Sequence, residues 1–156
     1  MIQRIYIDTS VIGGCFDEEF EEWSILLMEE IKSGQKIAVI SDITYREMEL
    51  APDKVQKKLF EIPSEFIENI LTDSEVEALA ENYIKAGAVS AKFYEDSLHI
   101  ANATIRKADI LASWNFKHIV NIDRIRKYNA VNLMLGYSSI EIRTPREILK
   151  QGENEN

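Results

Sequence analysis

Residues 4–13 read RIYIDTSVIG, and the reading of the fold turns on the one acid inside them. Ile5, Tyr6 and Ile7 are β-branched or aromatic and read as a buried strand, with Asp8 directly after it. A carboxylate in that place is costly to desolvate unless something pairs with it, and a cation is one candidate. The plainer alternative is that Asp8, Thr9 and Ser10 simply cap the next turn.

Outward from this strand, placed at about residues 3–8, the chain alternates between two periods. The acidic turn DEEFEEW (17–23) opens a helix that runs to about Ser33, where Gly34 ends it. KIAVIS (36–41) is a second short strand, followed by helical stretches in DITYREMEL (42–50) and PDKVQKKLFEI (52–62), with Pro52 suited to a first turn. EFIENIL (65–71) reads as a third strand. Thr72 and Glu75 have the spacing of a capping box, which predicts a helix from there to Gly87. Another helix is predicted over about 91–107, a strand in ADILAS (108–113), and a helix in NIDRIRKYNAVNLMLG ending at Gly136. After a short strand, IEIR (140–143), Thr144, Pro145 and Glu147 open a last helix.

Strands separated by helices of this length require crossover connections, hence a mainly parallel sheet covered on both faces. Sites in such folds form beyond the carboxyl ends of the strands, where both Asp8 and Ser113–Asn115 fall. With 156 residues, one domain over 1–150 and a polar tail over 151–156 is the expected organisation. The apolar fraction of 46% is ordinary for a soluble fold, and no apolar run approaches a membrane span. The first residues enter a strand without signal-peptide architecture, so a cytoplasmic location is expected.

Cys15 is the only cysteine and His99 and His118 the only histidines, which disfavours a thiolate or imidazole zinc site. Any metal here is held mainly by oxygen. A net charge of −9 argues against broad affinity for nucleic acid but leaves room for a local basic strip. Arg124, Arg126 and Lys127 beside Tyr128 are such a strip, although a solvated helix face is the more common use of the pattern. Glu47 taken alone reads as a solvated helix acid. Asp96 precedes the small apolar run Ile100–Ala101–Ala103, which suits close packing on a sheet, so an acid on the edge of that helix needs a partner. His99 shares its face and reads first as a packed residue. Trp114, beside Asn115, is a better base-stacking candidate than Trp23.

The order of these polar points resembles the PIN-domain family, which includes the ribonuclease toxins of VapC type. The matching segments are YIDTSVIGG (6–14), SDITYREMELAP (41–52), YEDSLHIANATI (94–105) and DILASWNFKHIVN (109–121), and the likeness extends to IEIRTPREIL (140–149). The resemblance implies a three-layer α/β/α sandwich with a central parallel sheet and an acidic pocket that binds Mg²⁺ or Mn²⁺ to hydrolyse RNA. It matches Asp8, Glu47 and Asp96 to the family's acids, with Asp8 and Asp96 as direct metal ligands, and Ser10 and Ser113 to supporting hydroxyls. Asn115 stands where many members carry a fourth aspartate. It keeps a carbonyl oxygen but removes one negative charge, which predicts weaker ion binding. The resemblance also implies a homodimer and, for a toxin, an antitoxin protein as partner.

Two other readings compete. One is a PIN-like module that holds RNA or a protein without cutting. The other is a phosphotransfer enzyme with Asp8 as nucleophile, but the D-x-D pattern of haloacid-dehalogenase phosphatases is absent because Ser10 fills the third position.

Overall fold

The computed structural model describes the backbone of residues 1–154 and the side chains of residues 1–150. Five parallel strands form one sheet in the order β3-β2-β1-β4-β5: β1 (Gln3–Ile7), β2 (Lys36–Ser41), β3 (Ile67–Ile70), β4 (Ile110–Ala112) and β5 (Ile142–Arg143). The helices are α1 (Thr9–Gly14), α2 (Glu21–Lys32), α3 (Asp42–Met48), α4 (Asp53–Phe60), α5 (Ser74–Lys85), α6 (Tyr94–Ile105), α7 (Ile122–Met134) and α8 (Pro145–Asn154).

Period-two alternation explains why the central strands are apolar throughout. Tyr6, Val39 and Leu111 enter a core closed by α5, α6 and α7 through Leu79, Ile100 and Tyr128. Their neighbours Ile5, Ile7, Ala38, Ile40, Ile110 and Ala112 enter the opposite core, closed by α1, α2, α4 and α8 through Val11, Leu27, Leu59 and Ile148. The result is the α/β/α layering expected from the strand and helix spacing.

Three local readings change. TSVIGG is a helix of its own, because the Asp8 side chain caps it by accepting the Val11 N–H. The α5 cap is Asp73, which accepts the Val76 N–H, while Thr72 is drawn away to Asp42 and Asn102. Pro52 sits at the α4 cap position, one residue before the helix. The Thr144–Glu147 box does form, with Thr144 N–H donating to Glu147 Oε1 at 3.1 Å and Glu147 N–H to Thr144 Oγ1 at 3.2 Å. The segment read as a tail begins inside α8, and residues 155–156 lie outside the described residues.

Gly14 holds α1 against the rest. A Cβ there would lie 2.5 Å from Ser24 Oγ and 2.8 Å from Trp114 Nε1, the two atoms that hydrogen-bond each other at 2.8 Å. Gly13 has open space around it. Urea unfolding should therefore show Gly14→Ala less stable by about 1–3 kcal/mol, and Gly13→Ala unchanged or slightly more stable. Equal effects at both positions would mean that the Ser24–Trp114 contact does not constrain α1.

Candidate functional site

The strand ends assemble the site. Asp8 leaves β1, buried to 4% exposure. Its Oδ1 accepts from Ser10 Oγ at 2.6 Å and from Val11 N–H at 3.2 Å, and its Oδ2 accepts from Ser113 Oγ at 2.5 Å. Ser113 directly follows β4, so this last bond ties the carboxyl ends of two neighbouring strands. Asp8 thus performs the capping role of the plainer reading, and it does so at the candidate site. The two roles are not alternatives.

Asp96 lies half-buried in the first turn of α6, where the helix dipole favours an anion. Glu47 comes from α3, and what fixes it is His99, one turn along α6 from Asp96. His99 is buried. Its Nε2 donates to Glu47 Oε1 at 2.5 Å, and its Nδ1 meets Tyr6 Oη at 2.7 Å, which in turn meets Ser41 Oγ at 2.6 Å. Thr9 Oγ1 adds a bond to Glu47 Oε1 at 3.2 Å. A polar chain thus crosses the core from β2 through β1 to α6 and α3. From sequence its histidine reads first as a packed residue, and the three-residue step from Asp96 is the signal that it shares that acid's face.

Asn115 turns the other way from its expected use. Its Oδ1 accepts the His118 N–H at 3.0 Å, and its Nδ2 donates to Asp96 Oδ1 at 3.3 Å. The residue in place of a fourth acid therefore offers Asp96 a donor, and its carbonyl is spent on the local turn. Trp114 is also committed: its indole N–H goes to Ser24 and one face stacks on Phe20.

Charge binds these groups into one electrostatic unit. Burial pushes the Asp8 carboxyl up, against the opposing pull of His99 and of the donors from Ser10, Ser113 and Val11. Burial also raises Asp96, and repulsion from Asp8 and Glu47 adds to it, so that its pKa reaches about 6 despite His99 and Asn115. Burial disfavours charge on His99, but Tyr6, Glu47 and Asp8 together lift it well above the ordinary imidazole value. Glu47 feels burial too, yet its His99 and Thr9 bonds hold it below the usual range. The His99–Glu47 bond thus favours the charged form of each partner.

Among the described residues no three His, Cys, Asp or Glu side chains are set to enclose a metal ion. Glu47 directs Oε1 to His99. Asp8 and Asp96 remain as hard oxygen donors. A carboxylate has about four acceptor sites, and three at Asp8 are used, which leaves one on Oδ2. Mg²⁺ commonly takes one or two carboxylates and completes its octahedron with water and phosphate. The donor chemistry fits that water-rich kind of ion and not an all-protein cage.

Neither the family models nor the curated proteins include a match to this sequence. Solved structures do match. VapBC2 from Rickettsia felis, bound to a DNA fragment from its promoter, aligns with TM-score 0.59 and 13% identity over 91% of this chain and 98% of the other. The fold is that of the PIN domain. FitAB bound to the IR36 DNA fragment aligns with TM-score 0.58 and 14% identity, covering 90% and 94% of the two chains. FitAcB from Neisseria gonorrhoeae gives 0.55 and 16%, covering 90% and 97%. At such identities the likeness concerns the PIN fold, and the chemistry has to be argued from this chain's own residues.

The raised Asp96 carboxyl has a consequence for stability. From about 3.9, the ordinary aspartate value, up to about 6, the folded chain holds a proton that the unfolded chain releases. Stability contributed by that proton falls as pH rises through this window. In buffer free of divalent ions, Asp96→Asn should match the wild type near about pH 4 and exceed it near about pH 7.5 in urea unfolding. A difference that does not vary with pH would contradict the assignment.

Proposed function

We propose that residues 1–150 act as one PIN-type domain that hydrolyses RNA phosphodiester bonds with a divalent metal ion, as the toxin of a toxin–antitoxin pair. The observation that carries this reading is the pair Asp8 and Asp96: two acids at one strand-end site, both raised by burial, with Asp96 raised further by its acidic neighbours. Such a pair is relieved by a cation. RNA as the substrate class rests on the motif resemblance, as do the homodimer and the antitoxin partner, and the VapBC2 and FitAB assemblies among the structural neighbours support a two-protein system.

Asp8 and Asp96 would hold Mg²⁺ or Mn²⁺. Such an ion, when bound, activates water and neutralises charge on the phosphate oxygens. The protein's own residues supply the rest. Ser10 and Ser113 fix the rotation of the Asp8 carboxylate, and Asn115 Nδ2 fixes Asp96. Glu47 is held through Oε1, and its Oε2 is left to accept a proton from an attacking water. His99 favours the ionised form of Glu47 and, in its own charged form, offsets part of the negative charge that opposes an incoming phosphate.

A non-cleaving binding module has one specific observation in its favour, the Asn115 amide donated to Asp96 where an acid is usual for the family. Cleavage of single-stranded RNA, measured with Mn²⁺ and with EDTA, separates the two. Activity with Mn²⁺ that is lost with EDTA, in Asp8→Asn and in Asp96→Asn is the expected result. Equal cleavage by all three proteins would assign the nuclease to a contaminant, and cutting of single-stranded DNA at the same rate would overturn RNA as the substrate class.

Asn115→Asp restores a fourth charge at nearly constant volume. It should lower the Mn²⁺ concentration needed for half-maximal cleavage without necessarily raising the maximal rate, since added negative charge also opposes the phosphate. Unchanged or weaker Mn²⁺ dependence would show that position 115 does not face the ion.

A further inference from the structure

Beside the acidic site, at the same carboxyl edge of the sheet, lies a cavity of about 280 Å³ walled by Phe20, Trp23, Trp114 and Phe116, with Thr144 and Arg146 beyond the end of β5. We propose that this cavity is a nucleobase subsite, which takes an unpaired base of the RNA next to the phosphate that is cut; it rests on the ribonuclease reading above.

The two sites share a wall. Trp114 lies between Ser113, which holds Asp8, and Asn115, which holds Asp96. Its backbone N–H donates to Ser10 Oγ at 2.9 Å, the hydroxyl that binds Asp8. A nucleotide with its phosphate at the acids therefore has the neighbouring base positions within this cavity's reach.

The walls are prepared for a flat ring. Trp114 is immobilised by its bond to Ser24 and by a stack on Phe20 with centroids 4.3 Å apart and planes at 17°. Phe116 is only tilted toward both, at 6.1 Å and 42° from Phe20 and 6.2 Å and 51° from Trp114. It is 51% exposed, so the aromatic cluster leaves much of its ring uncovered. Bases stack on such rings irrespective of sequence because every base has a π face. Arg146 lines the cavity 5.9 Å from the Trp23 ring centroid, and Lys150, outside the lining, lies 5.8 Å from the same centroid. In a chain of net charge −9 these place positive charge where the next phosphate of the strand would run. Two acids also line the cavity: Glu147 Oε1 accepts the Thr144 N–H, and Glu19 repels phosphate and suits instead the amino edge of a base.

The test is binding of a short single-stranded RNA by fluorescence anisotropy in EDTA, which prevents cutting, with the wild type, Phe116→Ala and Phe116→Tyr. Phe116→Ala should bind about tenfold more weakly, and Phe116→Tyr like the wild type. RNA with a single abasic nucleotide, moved along the strand, should lose about the same factor at one position, and Phe116→Ala should add no further loss on that RNA. Unchanged affinity in Phe116→Ala, or losses that simply multiply at every abasic position, would overturn the subsite. A wild type that cuts RNA in Mn²⁺ while Phe116→Ala binds normally would remove the subsite alone, whereas a wild type that neither binds nor cuts RNA would remove the ribonuclease reading with it.

Discussion

The structure depends on how one buried carboxylate is held. Asp8 ends the central strand, and three donors from α1 and the end of β4 satisfy it. Without them, a charge at that depth is costly by several kcal/mol or is neutralised by a proton. Those bonds cap α1, tie β1 to β4 at their carboxyl ends and fix the strand end against which Asp96 is placed. The same groups build the fold and the site, so a defect in either appears in both.

A second polar contact, between His99 and the half-buried Glu47, completes the site. His99 and Glu47 meet where α6 and α3 approach, with Tyr6 and Ser41 behind them. The charged form of this pair sets a positive group beside the acids, and Glu47 Oε1 is committed to it. The site is thereby less acidic than four free carboxylates would be. Asn115 acts in the same direction by donating to Asp96. For the proposed ion, affinity would be set by that balance as much as by the number of acids in the motifs.

Much of the fold was legible because it is written in short-range patterns. Alternating apolar strands, the Thr144–Glu147 box and the glycines at helix ends need only neighbours a few residues away. What was missed is decided by partners far along the chain. Thr72 and Asp73 are equally good caps by type, and Asp42 and Asn102 settle which one serves. The six-residue helix over TSVIGG, which ends in two glycines, depends on the cap from Asp8. The acids Asp8, Glu47 and Asp96 were visible as polar points at strand and helix ends. The side-chain directions were not: Asn115 faces Asp96 with its amide because the His118 N–H takes its carbonyl, and His99 meets a glutamate 52 residues away.

The central claim is that Asp8 and Asp96 bind one divalent ion. Crystals soaked in Mn²⁺ and measured for anomalous scattering test it most directly. The account predicts a single peak contacted by carboxylate oxygens of Asp8 and Asp96, and no such peak in Asp96→Asn. No ordered peak at these acids, or a peak held by Glu47 with His99 displaced, would contradict it.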